Sequence, residues 1–96
     1  MSIKDIKIKI LPILKAQGVE KAAIFGSFAK GTENKRSDID LLVKLNNSKT
    51  LLDLVGLKLE LEEKLGRKVD VITYNSLNRH LKKIILDEQK VIYEKS

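Results

Sequence analysis

The chain reads as one α/β domain of the α+β kind, a mixed three- to four-stranded sheet with helices packed on it. Three observations predict this. Apolar residues recur at helical spacing in three segments, and short apolar runs bounded by turn residues recur in four. The stretch from 38 to 73 runs strand, helix, strand, which is a parallel crossover unit. With 96 residues the chain has room for one domain over 1–96 and one cleft.

The elements follow in order. Ile3, Ile6, Ile10 and Ile13 or Leu14 keep helical spacing, Ser2 is a suitable N-cap and Gly18 a stop, so a first helix is expected near 3 to 16. Pro12 falls inside it and should remove a backbone bond or kink the last turn. "KAAIFGS" is a short strand ending in a turn, and the polar loop "TENKRS" leads into "DIDLLVKL", a second strand in which Ile39, Leu41 and Val43 alternate with Asp38, Asp40 and Leu42. From Thr50 to Leu65 the positions Leu51, Leu54, Val55, Leu61 and Leu65 form a helical stripe, widened by Leu52, Leu57 and Leu59 and closed by Gly66. So broad a stripe predicts burial on more than one side. "KVDVITY" is a third strand, "SLNRHLKKIILDEQ" a helix capped by Ser76, and "KVIYE" a terminal strand.

Composition narrows the function classes. The chain lacks cysteine, which excludes a disulfide framework and any thiolate metal site. "MSIKDIKIKI" alternates lysine with isoleucine and has no continuous apolar core, so it does not read as a secretory signal, and no apolar run approaches the length of a membrane span. A soluble, cytoplasmic protein without membrane attachment is expected. The formal charge of +6 could attract RNA, an acidic protein or a nucleoside triphosphate. The four aromatics, Phe25, Phe28, Tyr74 and Tyr93, are not interleaved with arginine as single-strand binding requires. The charge is therefore read as a solvated surface rather than a nucleic-acid face.

The chemistry concentrates in "FGSFAKGTENKRSDIDLLV", Phe25 to Val43. Residues i and i+2 of a strand share a face, so Asp38 and Asp40 project together while Ile39 turns to the core. Two neighbouring carboxylates repel unless they share a proton or a cation. Magnesium accepts one or two carboxylates together with phosphate oxygens and water. Gly26 and Ser27, at the end of the preceding strand, can offer a backbone N–H and a hydroxyl to a phosphate beside that metal. "GSFAKGT" has the glycine spacing of a P-loop, but Thr32 stands where that motif requires lysine, and a strand follows instead of a long helix.

The pattern "GS", ten residues, "DID" resembles the signature of the polymerase-beta-like nucleotidyltransferase superfamily, and in particular its minimal nucleotidyltransferase (MNT) branch with the MntA-type antitoxins. "IFGSFAKG", "SDIDLLV", "GLKLELEEKLGRKVDVI" and "VIYE" extend the resemblance over nearly the whole chain. It implies that Asp38 and Asp40 bind two magnesium ions and that Asp70, in "KVDVI", completes a catalytic and metal-binding triad. It assigns Gly26, Ser27, Lys30 and Ser37 to the nucleotide. Phe28 and Lys30 stand where many relatives have arginine at one or both positions, so Lys30 would act as a point charge rather than a bidentate fork. Lys35 and Arg36 add charge to the same loop.

The resemblance further implies transfer of a nucleoside monophosphate, AMP from ATP, to a hydroxyl such as a tyrosine of a HEPN-type toxin, with the protein as the antitoxin of the pair. The alternative is a non-catalytic antitoxin that keeps the fold and acts by covering its partner. Taken singly, Asp38 could cap a turn, Asp40 could pair with Lys44 or Arg36, and Asp70 could be an edge-strand charge. His80 has no carboxylate nearby in sequence and reads as a surface or interface residue, and Tyr74 and Tyr93 as packing at strand ends. Nucleotide preference and oligomeric state, a homo-oligomer included, are left open.

Overall fold

The computed structural model describes residues 1–32, 34 and 37–95. They run α1 (Ile3–Ala16), β1 (Val19–Phe25), α2 (Ser27–Lys30), β2 (Ile39–Leu45), α3 (Leu51–Leu65), β3 (Val69–Thr73), a 3-10 turn (Tyr74–Ser76), α4 (Arg79–Glu88) and β4 (Lys90–Glu94). The four strands form one mixed sheet in the order β3-β2-β1-β4. β1 is antiparallel to both β2 and β4, and β2 is parallel to β3 across α3. The expected fold class and crossover are both present.

Local chemistry sets the helix starts. Ser2 and Thr50 each form a capping box with the aspartate three residues on: Ser2 Oγ accepts from the Asp5 N–H at 3.1 Å, and the Thr50 N–H donates to Asp53 Oδ2 at 2.8 Å. The Ser2 N–H likewise donates to Asp5 Oδ2 at 3.1 Å, and these backbone bonds hold the Asp5 and Asp53 carboxyls below their ordinary range. Pro12 does not end α1, which continues to Ala16. Pro12 and Ile8, whose carbonyl loses its donor, are both exposed, so solvent can satisfy the orphaned group.

The core lies on one face of the sheet. Ile6, Ile10 and Leu14 of α1 and Leu57, Leu61 and Leu65 of α3 meet Ala22, Ile24, Ile39, Leu41, Val43 and Val69. α3 is thus buried along a single stripe of period four, not on several sides as its composition suggested. Leu51, Leu52, Val55 and Leu59 remain exposed, Leu52 at 80%. The reason is layering: α1 and β3 meet α3 from the sheet side, and among the described residues no further layer covers its back.

The opposite face carries Lys21, Ala23 and Phe25 of β1 and the even positions of β2 and β3. Ala23 and Leu42 are fully buried there, so Leu42 is core although it alternates with the core-facing residues. α4 differs from its expected form. It begins at Arg79, and its cap is Asn78, whose Oδ1 accepts from the Leu81 N–H at 2.8 Å. Ser76 instead donates to the Thr73 carbonyl at 2.8 Å, closing the 3-10 turn. None of the α4 residues is fully buried. A Lys30–Glu88 ion pair at 3.2 Å and a Tyr74 hydroxyl bond to Gln89 Oε1 at 2.6 Å fasten its C-terminal end.

Candidate active site

β2 and β3 pair in parallel with Asp40 directly opposite Asp70. Register partners share a face, so the two carboxylates stand side by side on the face away from α1 and α3. Asp38 lies two residues before Asp40, just ahead of the strand, at the same mouth. Across the other edge of β2, Phe25 pairs with Asp40, which places Gly26 beside the carboxylates.

Gly26 is required twice over. Its φ of 72° and ψ of −148° lie in a region open essentially to glycine alone. A Cβ built there would overlap Oδ2 of Asp40 and lie 3.1 Å from its Cγ. The missing side chain therefore makes the space in which the Asp40 carboxylate stands, and the same backbone turn launches α2 with Ser27 at its first position. The Ser27 hydroxyl has no hydrogen bond among the described residues, while its carbonyl accepts from the Thr32 N–H at 3.0 Å.

The electrostatics of this corner are those of an anionic site. Burial pushes the Asp40 carboxyl above the usual carboxylate range, and the neighbouring Asp70 and Asp38 charges push it further the same way. Among the described residues no lysine, arginine or histidine forms an ion pair with any of the three. The same residues include no group of three or more acidic or histidine side chains already converged into a cation cage. The donor set still suits a hard divalent cation: magnesium completes its shell with substrate phosphates and water and needs only one or two protein carboxylates.

The other expected nucleotide ligands are engaged elsewhere. Lys30 Nζ pairs with Glu88. Ser37 Oγ accepts from the Asn34 N–H at 2.9 Å, and the Ser37 N–H donates to the Asn34 carbonyl at 3.1 Å, so this serine closes its own loop. Lys35 and Arg36 lie outside the described residues. His80 is exposed on α4, and Tyr93 packs half-buried against the core. Tyr74 sits 5.4 Å below the Lys21 ammonium, its phenol pushed up by burial and by Glu94.

Two residues at this corner escaped the reading of the sequence. Glu88 holds Lys30 from an element 58 residues away, a pairing no local pattern encodes. The Arg67 guanidinium lies over the Phe28 ring, 5.5 Å from guanidinium carbon to centroid, and donates from Nη1 to the Ser37 carbonyl at 3.3 Å. The signal for Arg67 was its position three residues before Asp70, but its reach across to α2 is a tertiary fact.

Comparison with known proteins places this corner in context. Residues 8–96 match the family described as Polymerase beta, Nucleotidyltransferase. The provisionally named protein adenylyltransferase MJ0435 of Methanocaldococcus jannaschii is 56% identical over 88 residues, covering 92% of this chain and 95% of that one. A solved structure provisionally named a minimal nucleotidyltransferase superposes with a TM-score of 0.82 at 33% identity, over 94% of this chain and 95% of that one. Another, described as the tri-AMPylated HEPN toxin of Shewanella oneidensis in complex with MNT antitoxin, gives 0.74 at 19% identity over 96% of this chain and 72% of that one. At that identity the likeness shows the fold alone.

Proposed function

This chain belongs to the polymerase beta nucleotidyltransferase family, and from that membership we propose that it transfers AMP from ATP to a hydroxyl of a HEPN-type toxin, most simply a tyrosine, and so serves as the antitoxin of the pair. The observation that carries the proposal is the corner where Asp40 meets Asp70 across the parallel strands while Gly26 clears the space beside them. The similar protein adenylyltransferase supports AMP as the group transferred, and exposed Leu81 and Ile84 on α4 support a protein as its acceptor.

In the proposed reaction the acceptor oxygen attacks the α-phosphorus of ATP as its proton passes to the Asp70 carboxylate and on to water, a new phosphate ester forms, and the bond to the pyrophosphate leaving group breaks. The Gly26–Ser27 turn holds the triphosphate through its backbone and the Ser27 hydroxyl. Asp38 and Asp40 would hold magnesium, with Asp70 completing the carboxylate set. Magnesium held by these carboxylates would supply charge neutralisation for the displacement. The chain's own contribution is placement, which is what phosphoryl-type transfer chiefly requires. Leu81 and Ile84 of α4 are exposed, which supports docking of a protein partner there, whereas the exposed Leu51, Leu52 and Leu59 of α3 lie on the other side of the sheet from the aspartates.

The test is to incubate the protein with ATP, magnesium and the HEPN-type product of a neighbouring gene, and to weigh the partner intact. Its mass should rise by one or more AMP units. With Asp70→Asn the increment should vanish while nucleotide binding falls little, since Asp38 and Asp40 remain. A stable complex without any mass change would overturn the transfer and leave a non-catalytic antitoxin that acts by covering its partner.

A further inference from the structure

We propose that Arg67 is a positioning residue that locks the two halves of the candidate site together. The proposal rests on the reading of Gly26, Ser27 and the three aspartates as one site. Those halves come from segments joined covalently only through the polar loop between α2 and β2. Gly26 and Ser27 lead into Phe28, and Ser37 leads into Asp38. Arg67 touches both: its guanidinium lies over the Phe28 ring, and its Nη1 donates to the carbonyl of Ser37, the residue next to Asp38.

The side chain that makes this bridge is itself held at its root. Gly66, at φ 64°, ends α3 in the left-handed conformation and donates its N–H to the Glu62 carbonyl at 2.8 Å. Glu62 Oε2 then accepts from the Val69 N–H at 3.0 Å, and the Lys68 carbonyl accepts from the Ile39 N–H at 3.1 Å. Arg67 therefore sits between two fastened residues, three positions from Asp70. One short connection thus ties all three parts of the site, the glycine-serine turn through Phe28, the Asp38 segment through Ser37, and β3 through the chain itself.

Arginine suits this place for a chemical reason. A planar guanidinium can present a face to an aromatic ring and an edge to a carbonyl at once, and an ammonium cannot. Phe28 is only 3% exposed, so its ring is a fixed platform and not a mobile surface group. Transfer by positioning is sensitive to displacements of about 1 Å, which can cost roughly a hundredfold in rate. A residue that fixes the distance between turn and carboxylates acts on chemistry without touching substrate.

The experiment compares wild type, Arg67→Met and Arg67→Lys. Hydrogen exchange is followed by mass spectrometry in the peptides holding the Lys30 and Thr32 amides, both bonded to the turn, and in the core peptides of β1 and α3. Magnesium-dependent binding of a non-hydrolysable ATP analogue is measured on the same samples. Arg67→Met should speed exchange at the turn while Ile24 and Leu61 stay protected, and weaken the analogue about tenfold. Arg67→Lys, which keeps the charge but loses the planar, forked guanidinium, should recover less than half of either effect, and millimolar guanidinium should partly restore binding to Arg67→Met. Wild-type exchange at the turn in Arg67→Met, or acceleration everywhere at once, would overturn the proposal. If wild type fails to bind the analogue, the nucleotide reading falls, and the exchange pattern still decides the role of Arg67.

Discussion

Asp40 is held in a place that favours its neutral form, and the cause is written in its surroundings: partial burial first, then Asp70 and Asp38. Its folded pKa lies above the unfolded one, so the folded state holds the proton more tightly. The associated stability is present below the ordinary carboxylate range and is lost as pH rises through the folded pKa. Asp40→Asn, which removes the ionisation at nearly constant shape, is expected to raise Tm at pH 7 without metal or nucleotide and to leave it unchanged at pH 3. Thermal melts in EDTA at both pH values check this, and an equal shift at the two would remove charge as the cause. Gly26→Ala is expected to act in the opposite sense. The strained φ costs about 1–3 kcal/mol, and the new Cβ must push the Asp40 carboxylate aside. Urea unfolding should show the loss, and nucleotide binding should fall with it.

At the scale of elements, α3 shows how composition can mislead. Eight apolar positions suggested a helix wrapped in core, yet only Leu57, Leu61 and Leu65 are buried, because the sheet and α1 approach from one side. The two kinds of leucine should respond differently to truncation. Leu61→Ala removes a fully buried side chain and is expected to destabilise by about 2–5 kcal/mol. Leu52→Ala, at an exposed position, should stay within about 0.5 kcal/mol. Denaturant midpoints of the two variants decide the matter, and similar losses would mean that a second surface covers α3 in solution. The capping boxes at Ser2 and Thr50 belong to this scale too, since three-residue spacing alone specifies them.

Across the whole molecule, stability is distributed unevenly. α1 and α3 share the core, whereas α4 buries nothing fully and is fastened at its C-terminal end by the Lys30–Glu88 pair and the Tyr74–Gln89 bond. An exposed ion pair contributes at most about 1 kcal/mol. Residues 79–88 should therefore exchange amide hydrogens faster than either 3–16 or 51–65, because local opening there breaks few apolar contacts. Deuterium uptake by peptide reads this directly, and protection of 79–88 equal to that of 51–65 would contradict it. The link also matters for the site, since the cation that could meet a triphosphate, Lys30, is held by the element most loosely attached to the body.

The sequence by itself determined the three longer helices and the four strands, though not the short α2 at Ser27–Lys30 or the start of α4, together with the strand-helix-strand crossover and the spacing that brings Gly26 and Ser27 near Asp38 and Asp40. These rest on side-chain periodicity and short covalent distance, which act within one or two elements. Only the tertiary structure decided that Asp70 falls opposite Asp40, for strand register depends on how α3 packs its single stripe, and a shift of one residue would turn Asp70 to the other face. It also decided that Asn78 and not Ser76 caps α4, that Leu42 is core, that Glu88 takes Lys30, and that Arg67 spans from Phe28 to Ser37. Each of these depends on which surfaces the fold leaves uncovered and which distant groups it brings within a few ångströms, and no local pattern of residues carries that information.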